Sequence, residues 1–124
     1  MLNYIKGRWK SFGHALRGAW GMLASGPNAI IMMVAVVVVV VAGLYFNIRT
    51  IEWALVSFAI TLVIVAEAFN TAIEKLTDMV QPNQDPRAGK VKDLAAGAVL
   101  LASIGATVIG VIVFYDYVVK AIVH

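Results

Sequence analysis

Residues 53–78 read WALVSFAITLVIVAEAFNTAIEKLTD, an apolar run that ends in a set of regularly spaced polar side chains. The polar set consists of Glu67, Asn70, Thr71, Glu74 and Asp78. Their offsets from Glu67 of three, four, seven and eleven residues place all five side chains on one face of an α-helix. A carboxylate within the hydrocarbon of a bilayer costs about 2.5–3.5 kcal/mol even on lenient insertion scales. This acidic stripe therefore indicates a functional site that holds a metal ion, basic partners or water.

A simpler interpretation applies to part of the acidic stripe. If the helix leaves the membrane near Asn70, then Glu74 and Asp78 are surface side chains in contact with water. That interpretation does not account for Glu67, which lies within the apolar sequence LVIVAEAF.

The composition of the chain is that of a membrane protein. Of its 124 residues, 61% are hydrophobic and 14% are charged, and its mean hydropathy is +0.87. An ordinary globular domain is about 25% charged, so the excess apolar surface has to face lipid. A chain of this length predicts a single domain, residues 1–124. Because there is no cysteine, disulfides and thiolate metal sites are excluded.

The sequence predicts an all-α membrane protein with an N-terminal amphipathic surface helix and three transmembrane helices. In residues 2–23 apolar side chains recur at spacings of three and four, whereas Lys6, Lys10 and Arg17 fall outside that arc. A cationic helix of this kind lies in the headgroup layer of a membrane. The three spans are predicted at about 29–46, 51–75 and 92–119.

The third apolar helix is expected to start around Val91, after a polar surface loop at 81–90 that contains two prolines and a glycine. Small residues repeat every four positions in this span, at Ala98, Ala102, Ala106 and Gly110. A ridge of small residues lets another helix approach closely.

The distribution of basic residues predicts the orientation in the membrane. Eight of the ten lysines and arginines lie before the first span or around the second loop, and the other two are Arg49 and Lys120. Basic residues accumulate on the cytoplasmic side, so the N-terminus and the 81–90 loop are expected in the cytoplasm. The acidic stripe then opens toward the compartment that contains ATP.

Charged residues beyond the loop suggest what the stripe binds. If the second and third spans are antiparallel, Lys90, Lys92 and Asp93 approach Glu74 and Asp78. Carboxylates hold Mg²⁺ and lysine neutralises phosphate oxygens, so the set predicts a metal–phosphate site. Taken singly, Asp93 could equally be a helix cap and Lys92 a membrane anchor. The chain contains neither a glycine-rich phosphate loop of the common nucleotide-binding kind nor an HExxH motif.

These residues resemble the prokaryotic diacylglycerol kinase family, which includes the undecaprenol kinases of Gram-positive bacteria. The resemblance rests on EAFNTAIE at 67–74, on Asp78, and on GKVKDLAAGAVL at 89–100. Residues of the first helix also fall at the family's spacing, namely Arg8, Ser11, Phe12, Ala15 and Gly18, followed by Asn28. The resemblance extends over nearly the whole chain.

The resemblance implies a role for each position that matches the family's motif. Glu67 would be the catalytic general base that takes the proton from a lipid hydroxyl, and Glu74 would bind the divalent metal, Mg²⁺. The residues implied to contact ATP or to position it are Arg8, Asn70, Asp78, Lys92 and Asp93. Family members are homotrimers whose sites are shared between subunits.

One position departs from the family pattern. A glutamate that serves as a second metal ligand normally stands two residues before the position of Asn28, and here that residue is Gly26. With one carboxylate fewer, Mg²⁺ would depend more on phosphates, water and Asp78, or bind weakly.

The resemblance thus implies a lipid kinase of the bacterial inner membrane that transfers the γ-phosphoryl of ATP to a lipid hydroxyl. Diacylglycerol is the first expected acceptor and undecaprenol the second, with a role in phospholipid or lipid-carrier recycling. No nucleic-acid partner is expected. Two alternatives remain: a small proton- or cation-coupled transporter that uses Glu67 as a carrier, and a catalytically degenerate family member.

Overall fold

A computed structural model describes residues 1–24 and 26–124, and the described part of the chain is built from four α-helices. Their bounds are Leu2–Leu23 for α1, Pro27–Phe46 for α2, Thr50–Val80 for α3 and Pro86–Val123 for α4. Helices α2, α3 and α4 are each long and apolar enough to cross a membrane. The predicted all-α, multi-pass membrane architecture is therefore confirmed.

The chain divides into two compact units, Met1–Val37 and Val38–His124. In the first unit, α1 has the bounds that its amphipathic pattern predicted. Its large apolar side chains are exposed along one arc, and the rings of Trp9 and Phe12 meet edge to face with centroids 6.4 Å apart. Exposed tryptophans on a cationic helix are the pattern of a helix that lies in the membrane interface.

The second unit is organised around the antiparallel pair of α3 and α4. The residues of α3 that are buried at the seam are Glu52, Val56 and Ala59, and those of α4 are Ala95, Ala102 and Val113. The separations between buried positions on each helix are three or four residues, or sums of these, which keeps them on one face. The seam is mostly small or β-branched, as is usual where helices pack within lipid.

A tight turn between α2 and α3 closes one end of this unit. Asn47 adopts a left-handed conformation (φ 50°), and the N–H of Ile48 donates to the carbonyl of Gly43 over 3.1 Å. Together with the Asn47 N–H to Leu44 carbonyl bond, this is a Schellman ending of α2. Ile48 then joins Val56 and Val113 in the buried core of the unit.

Gly43 allows the ring of Trp53 to pack against α2. A Cβ atom at position 43 would lie 2.6 Å from Cη2 and 2.8 Å from Cζ2 of that ring. Aromatic rings surround the same core, with the centroids of Phe46 and Tyr117 5.9 Å apart. This end of the unit thus packs the last turns of α2 against α3 and α4.

Helices α3 and α4 extend beyond the predicted spans. Helix α3 continues to Val80 and α4 begins at Pro86, so the connecting loop comprises only residues 81–85. Asp85 is the N-cap of α4, because its carboxylate accepts the N–H of Arg87 at 2.8 Å. Proline is well tolerated at the first helical position, where its missing N–H is not needed. The expected start near Val91 was wrong for this reason.

The same correction removes Asp93 as a cap, since it lies two turns inside α4.

The small-residue ridge of α4 is only partly buried. Ala102 is buried, whereas Ala98 is exposed and a Cβ at Gly110 would have nothing within 4 Å. Burial along the ridge is therefore uneven, since Ala102 is buried, Ala106 and Gly110 are half-buried and Ala98 is exposed.

Candidate functional site

The predicted site residues of the second unit lie along the last third of α3 and the first two turns of α4. Nζ of Lys92 donates to Oδ1 of Asp78 over 2.5 Å, although 14 residues separate them in sequence. The two side chains are 38% and 63% exposed, so a ligand can still reach both. The antiparallel packing of α3 and α4 thus brings one basic and one acidic residue of the predicted set together.

Exposure changes along the acidic stripe. Glu67, Asn70 and Thr71 are half-buried, whereas Glu74 and Asp78 are exposed. Exposure of the last two agrees with the simpler interpretation for those residues, and it also leaves them accessible to a soluble ligand. Oδ1 of Asn70 is buried and has no hydrogen-bond partner in the described part of the chain. A buried acceptor without a donor calls for an explanation, and a bound polar ligand or water is one.

A cleft of about 610 Å³ opens where α3, the loop and α4 meet. Asp78 and Lys92 form one wall, and loop residues that include Gln81, Asn83 and Gln84 form the other. Its lining combines the Lys92–Asp78 ion pair with neutral amides and the carboxylate of Asp85. The cleft is therefore polar and charged, and it offers a cation and two carboxylates to a ligand.

The rim of the cleft is fixed by Asp85. Besides the N–H of Arg87, its carboxylate accepts from Nη2 of the same arginine over 2.9 Å and from Nε2 of Gln81 over 3.4 Å. The side chain of Arg87 and then its N–H lower the pKa of Asp85 below the ordinary value of 3.8. Asp85 thus holds the start of α4 in place as a charged cap.

The donor set fits a magnesium ion that is shared with a phosphate. Within residues 1–24 and 26–124 no group of three or more His, Cys, Asp or Glu side chains could hold a metal by itself. Mg²⁺ in nucleotide sites commonly uses one or two carboxylates plus phosphate oxygens and water. Glu74 and Asp78, one turn apart on α3, could supply those carboxylates.

Other predicted residues lie in different surroundings. Arg8 belongs to the first unit, where its guanidinium lies 5.8 Å from the ring centroid of Tyr4. Asp93 is exposed. Glu67 precedes Asp78 by eleven residues, which is roughly 16 Å along the helix axis.

Gly26, where the family resemblance implies a missing carboxylate, has φ +147°. L-residues rarely adopt that conformation, so a side chain at this position would be strained. The departure from the family pattern is therefore matched by the local backbone.

One polar cluster was missed by the sequence analysis. Glu52 is 8% exposed and accepts hydrogen bonds from the Arg49 N–H (2.8 Å), the Arg49 guanidinium (2.9 Å) and the Tyr117 hydroxyl (2.7 Å). A lone glutamate at the start of an apolar helix, three residues after an arginine, was the available signal. Its partner Tyr117, 65 residues away, could not be identified by spacing.

The fold and the site define a class, a multi-pass membrane protein with a polar, charged cleft at one end of a helix pair. A family profile described as prokaryotic diacylglycerol kinase matches residues 13–114. The matched segment includes the acidic stripe, the loop and Lys92. The chain belongs to this family and is therefore an enzyme of the lipid-kinase class.

Individual relatives support the same assignment. The chain is 32% identical over 112 residues to the undecaprenol kinase of Bacillus subtilis, covering 90% of this chain and 91% of that protein. It is 34% identical over 101 residues to a diacylglycerol kinase of Synechocystis sp., covering 81% and 58%. It is 30% identical over 84 residues to the diacylglycerol kinase of Escherichia coli, covering 68% and 69%.

Proposed function

We propose that this protein transfers the γ-phosphoryl group of ATP, bound with Mg²⁺, to the hydroxyl of a membrane lipid. The observation that carries the proposal is the Lys92–Asp78 pair beside the acidic stripe, within the segment that matches the family. A cation for phosphate oxygens, carboxylates for a metal and a further carboxylate deeper in the helix are the parts that this transfer needs.

Each side chain would have one role. Lys92 would neutralise phosphate oxygens, Glu74 and Asp78 would hold Mg²⁺, and the buried carbonyl oxygen of Asn70 would accept a hydrogen bond from the bound substrates. The bound metal would supply charge neutralisation on the phosphates. Glu67 would accept the proton of the lipid hydroxyl.

The transfer involves one bond formed and one broken. The lipid oxygen bonds to the γ-phosphorus while the bond from that phosphorus to the β–γ bridging oxygen breaks, and ADP leaves. The hydroxyl proton passes to Glu67. Because Glu67 lies roughly 16 Å along α3 from Asp78, the nucleotide phosphates would have to extend from the cleft toward the bilayer.

Two acceptors deserve a direct test. One relative, which aligns over 90% of this chain and 91% of its own length, is an undecaprenol kinase, and this favours undecaprenol. The family description and further relatives favour diacylglycerol. Purified protein in mixed micelles should be incubated with [γ-³²P]ATP, Mg²⁺ and each lipid in turn. Labelled product with one lipid identifies the acceptor, and transfer to neither overturns the proposal.

Gly26 favours a second candidate, a family member that binds nucleotide but turns over slowly or not at all. Its φ of +147° leaves no unstrained place for the carboxylate that the family resemblance implies there. Calorimetric titration with ATP and Mg²⁺ separates the candidates. Binding without labelled product would indicate the degenerate member.

We also propose that the cleft faces the cytoplasm of a bacterial inner membrane and that the protein assembles as a homotrimer. The bias of basic residues supports the orientation. Support for assembly comes from the family resemblance and from the incomplete burial of the α4 ridge at Ala98 and Gly110. Native mass spectrometry from detergent tests the assembly, and a monomer mass alone would contradict it.

A further inference from the structure

The cluster of Arg49, Glu52 and Tyr117 lies at the opposite end of α3 from the cleft. Glu52 is the one buried charged side chain among the described residues. Its carboxylate accepts three hydrogen bonds, two from Arg49 and one from Tyr117. An isolated buried carboxylate is very unfavourable, so these donors are needed for Glu52 to remain buried and charged.

The Tyr117 hydroxyl is the contribution of α4 to this cluster. Its 2.7 Å bond to Glu52 joins the last turns of α4 to the first turn of α3. Arg49 extends the connection to the turn that follows α2. The cluster is therefore a junction of three elements, placed beside the core of Ile48, Val56 and Val113.

Away from the core around Val113, the α3–α4 seam specifies its alignment weakly. Its other buried residues on α4 are two alanines, and small side chains fit together in more than one register. Within lipid there is no hydrophobic driving force between helices that would favour one alignment. The five-residue loop 81–85 restrains α4 at one end only, and α4 has 38 residues, about 57 Å.

We propose that Arg49, Glu52 and Tyr117 form a polar clamp that fixes the register and rotation of α4 on α3 at the end that the loop does not restrain. Glu52 and Asp78 mark the two contacts on α3, and Tyr117 and Lys92 mark them on α4. The number of residues between the two contacts is nearly the same on both helices. Both contacts can therefore form in one antiparallel register. A slip of one residue turns the side chains of a helix by about 100° and separates both pairs.

The absence of cysteine makes the alignment directly measurable. Val56→Cys with Val113→Cys pairs two positions that are buried in the same core and reports the observed alignment. Val56→Cys with Ile112→Cys reports a rotated helix, because Ile112 is 70% exposed in the observed alignment. Both pairs are oxidised in membranes, in the parent chain and in the Tyr117→Phe background.

The matched control is Tyr115→Phe, which removes the same hydroxyl from an exposed tyrosine of α4. In the parent chain and in Tyr115→Phe we expect disulfide formation at 56/113 and little at 56/112. In Tyr117→Phe we expect the ratio of the two yields to fall about ten-fold, the scale expected when a hydrogen bond to a charged group is lost.

Glu52→Gln is a second variant for the same measurement. The substitution keeps the size of the side chain and an acceptor for Tyr117. We expect an intermediate fall in the same ratio. An unchanged ratio in both Tyr117→Phe and Glu52→Gln overturns the proposal, even if thermal stability falls, because the cluster would then stabilise without aligning. The assay needs no kinase activity, so its outcome does not depend on the proposed function.

Discussion

Two polar side chains of α3 differ in the hydrogen bonds that their side-chain oxygen atoms accept. The carboxylate of Glu52 accepts three hydrogen bonds, whereas Oδ1 of Asn70 has no partner in the described part of the chain. A satisfied group stabilises the fold, and an unsatisfied one costs free energy unless something else uses it. The contrast suggests a structural role for Glu52 and a role in ligand binding for Asn70.

This contrast predicts the outcome of Asn70→Ala. Because no intramolecular bond of Oδ1 is lost, the free energy of unfolding should change by less than about 0.5 kcal/mol. Turnover with ATP and lipid should fall at least about ten-fold, the effect of losing one well-placed hydrogen bond. Thermal unfolding in detergent and the micelle assay measure the two quantities. A large loss of stability with full turnover would contradict the prediction.

The proposed roles of Glu67 and Lys92 predict different defects. Glu67→Gln should lower kcat about 10²–10⁴-fold and leave nucleotide binding intact, since it removes only the proton acceptor. Lys92→Met should weaken nucleotide binding itself, as it removes the cation beside Asp78. Lys90→Met, an exposed lysine two residues away, is the control. Calorimetry and turnover separate these effects, and equal behaviour of the two lysine variants would exclude a specific role for Lys92.

At the scale of the helices, local chemistry explains where the sequence analysis succeeded and failed. The end of α2 was predicted because Asn47 begins a recognisable turn. The start of α4 was missed because the prolines of the loop suggested a longer break, although Pro86 lies at the first helical position after its cap Asp85. The cleft depends on this early start, which makes Asp85 and Pro86 part of its rim.

The cap predicts a pH effect on the first turn of α4. The pKa of Asp85 is lower in the folded protein than its ordinary value of 3.8, so its stabilising effect is complete above that value. The effect is lost as the pH falls through the folded pKa and the carboxylate is protonated. Hydrogen exchange of the Arg87 amide, corrected for its intrinsic rate, should show this loss of protection on acidification. Asp85→Asn keeps an acceptor but does not titrate, and should remove the pH dependence.

Asp85→Ala provides the opposite control for the same cap. Without any acceptor, the Arg87 amide should exchange faster at neutral pH than in the parent chain. Exchange as slow as in the parent chain would mean that the cap does not protect this turn.

The packing of α2 predicts that one added methyl group at Gly43 destabilises the fold. Gly43→Ala places a Cβ 2.6 Å from the Trp53 ring, and the strain should lower the free energy of unfolding by about 1–3 kcal/mol. Gly110→Ala is the matched control, because its Cβ would have nothing within 4 Å. Chemical unfolding in detergent should show the loss at position 43 alone. Equal effects at both positions would contradict the packing of Trp53.

For the chain as a whole, composition predicted a membrane protein and the apolar runs predicted its three spans, and the acidic stripe marked the end of α3 that carries the cleft. The joining of Lys92 to Asp78 followed from the antiparallel arrangement of neighbouring spans. The Glu52–Tyr117 contact could not be predicted, because pairing across 65 residues depends on the register of two helices that spacing does not encode.

The proposed orientation predicts the accessibility of two single cysteines. In inside-out membrane vesicles an impermeant maleimide should label Asn83→Cys, in the exposed loop, and leave His124→Cys unlabelled. Right-side-out vesicles should give the reverse. The opposite pattern would place the cleft on the side away from cytoplasmic ATP and overturn the proposed orientation.

The depth of Glu67 has a consequence for the surrounding lipid. With Asp78 at the edge of the hydrocarbon layer, the roughly 16 Å to Glu67 reaches about halfway through a layer of about 30 Å. The hydroxyl of a membrane lipid at the headgroup level would not reach the Glu67 carboxylate. We therefore expect the bilayer to be thinner beside α3 than elsewhere. Bilayers of short-chain lipids, which are thin throughout, should then support faster turnover.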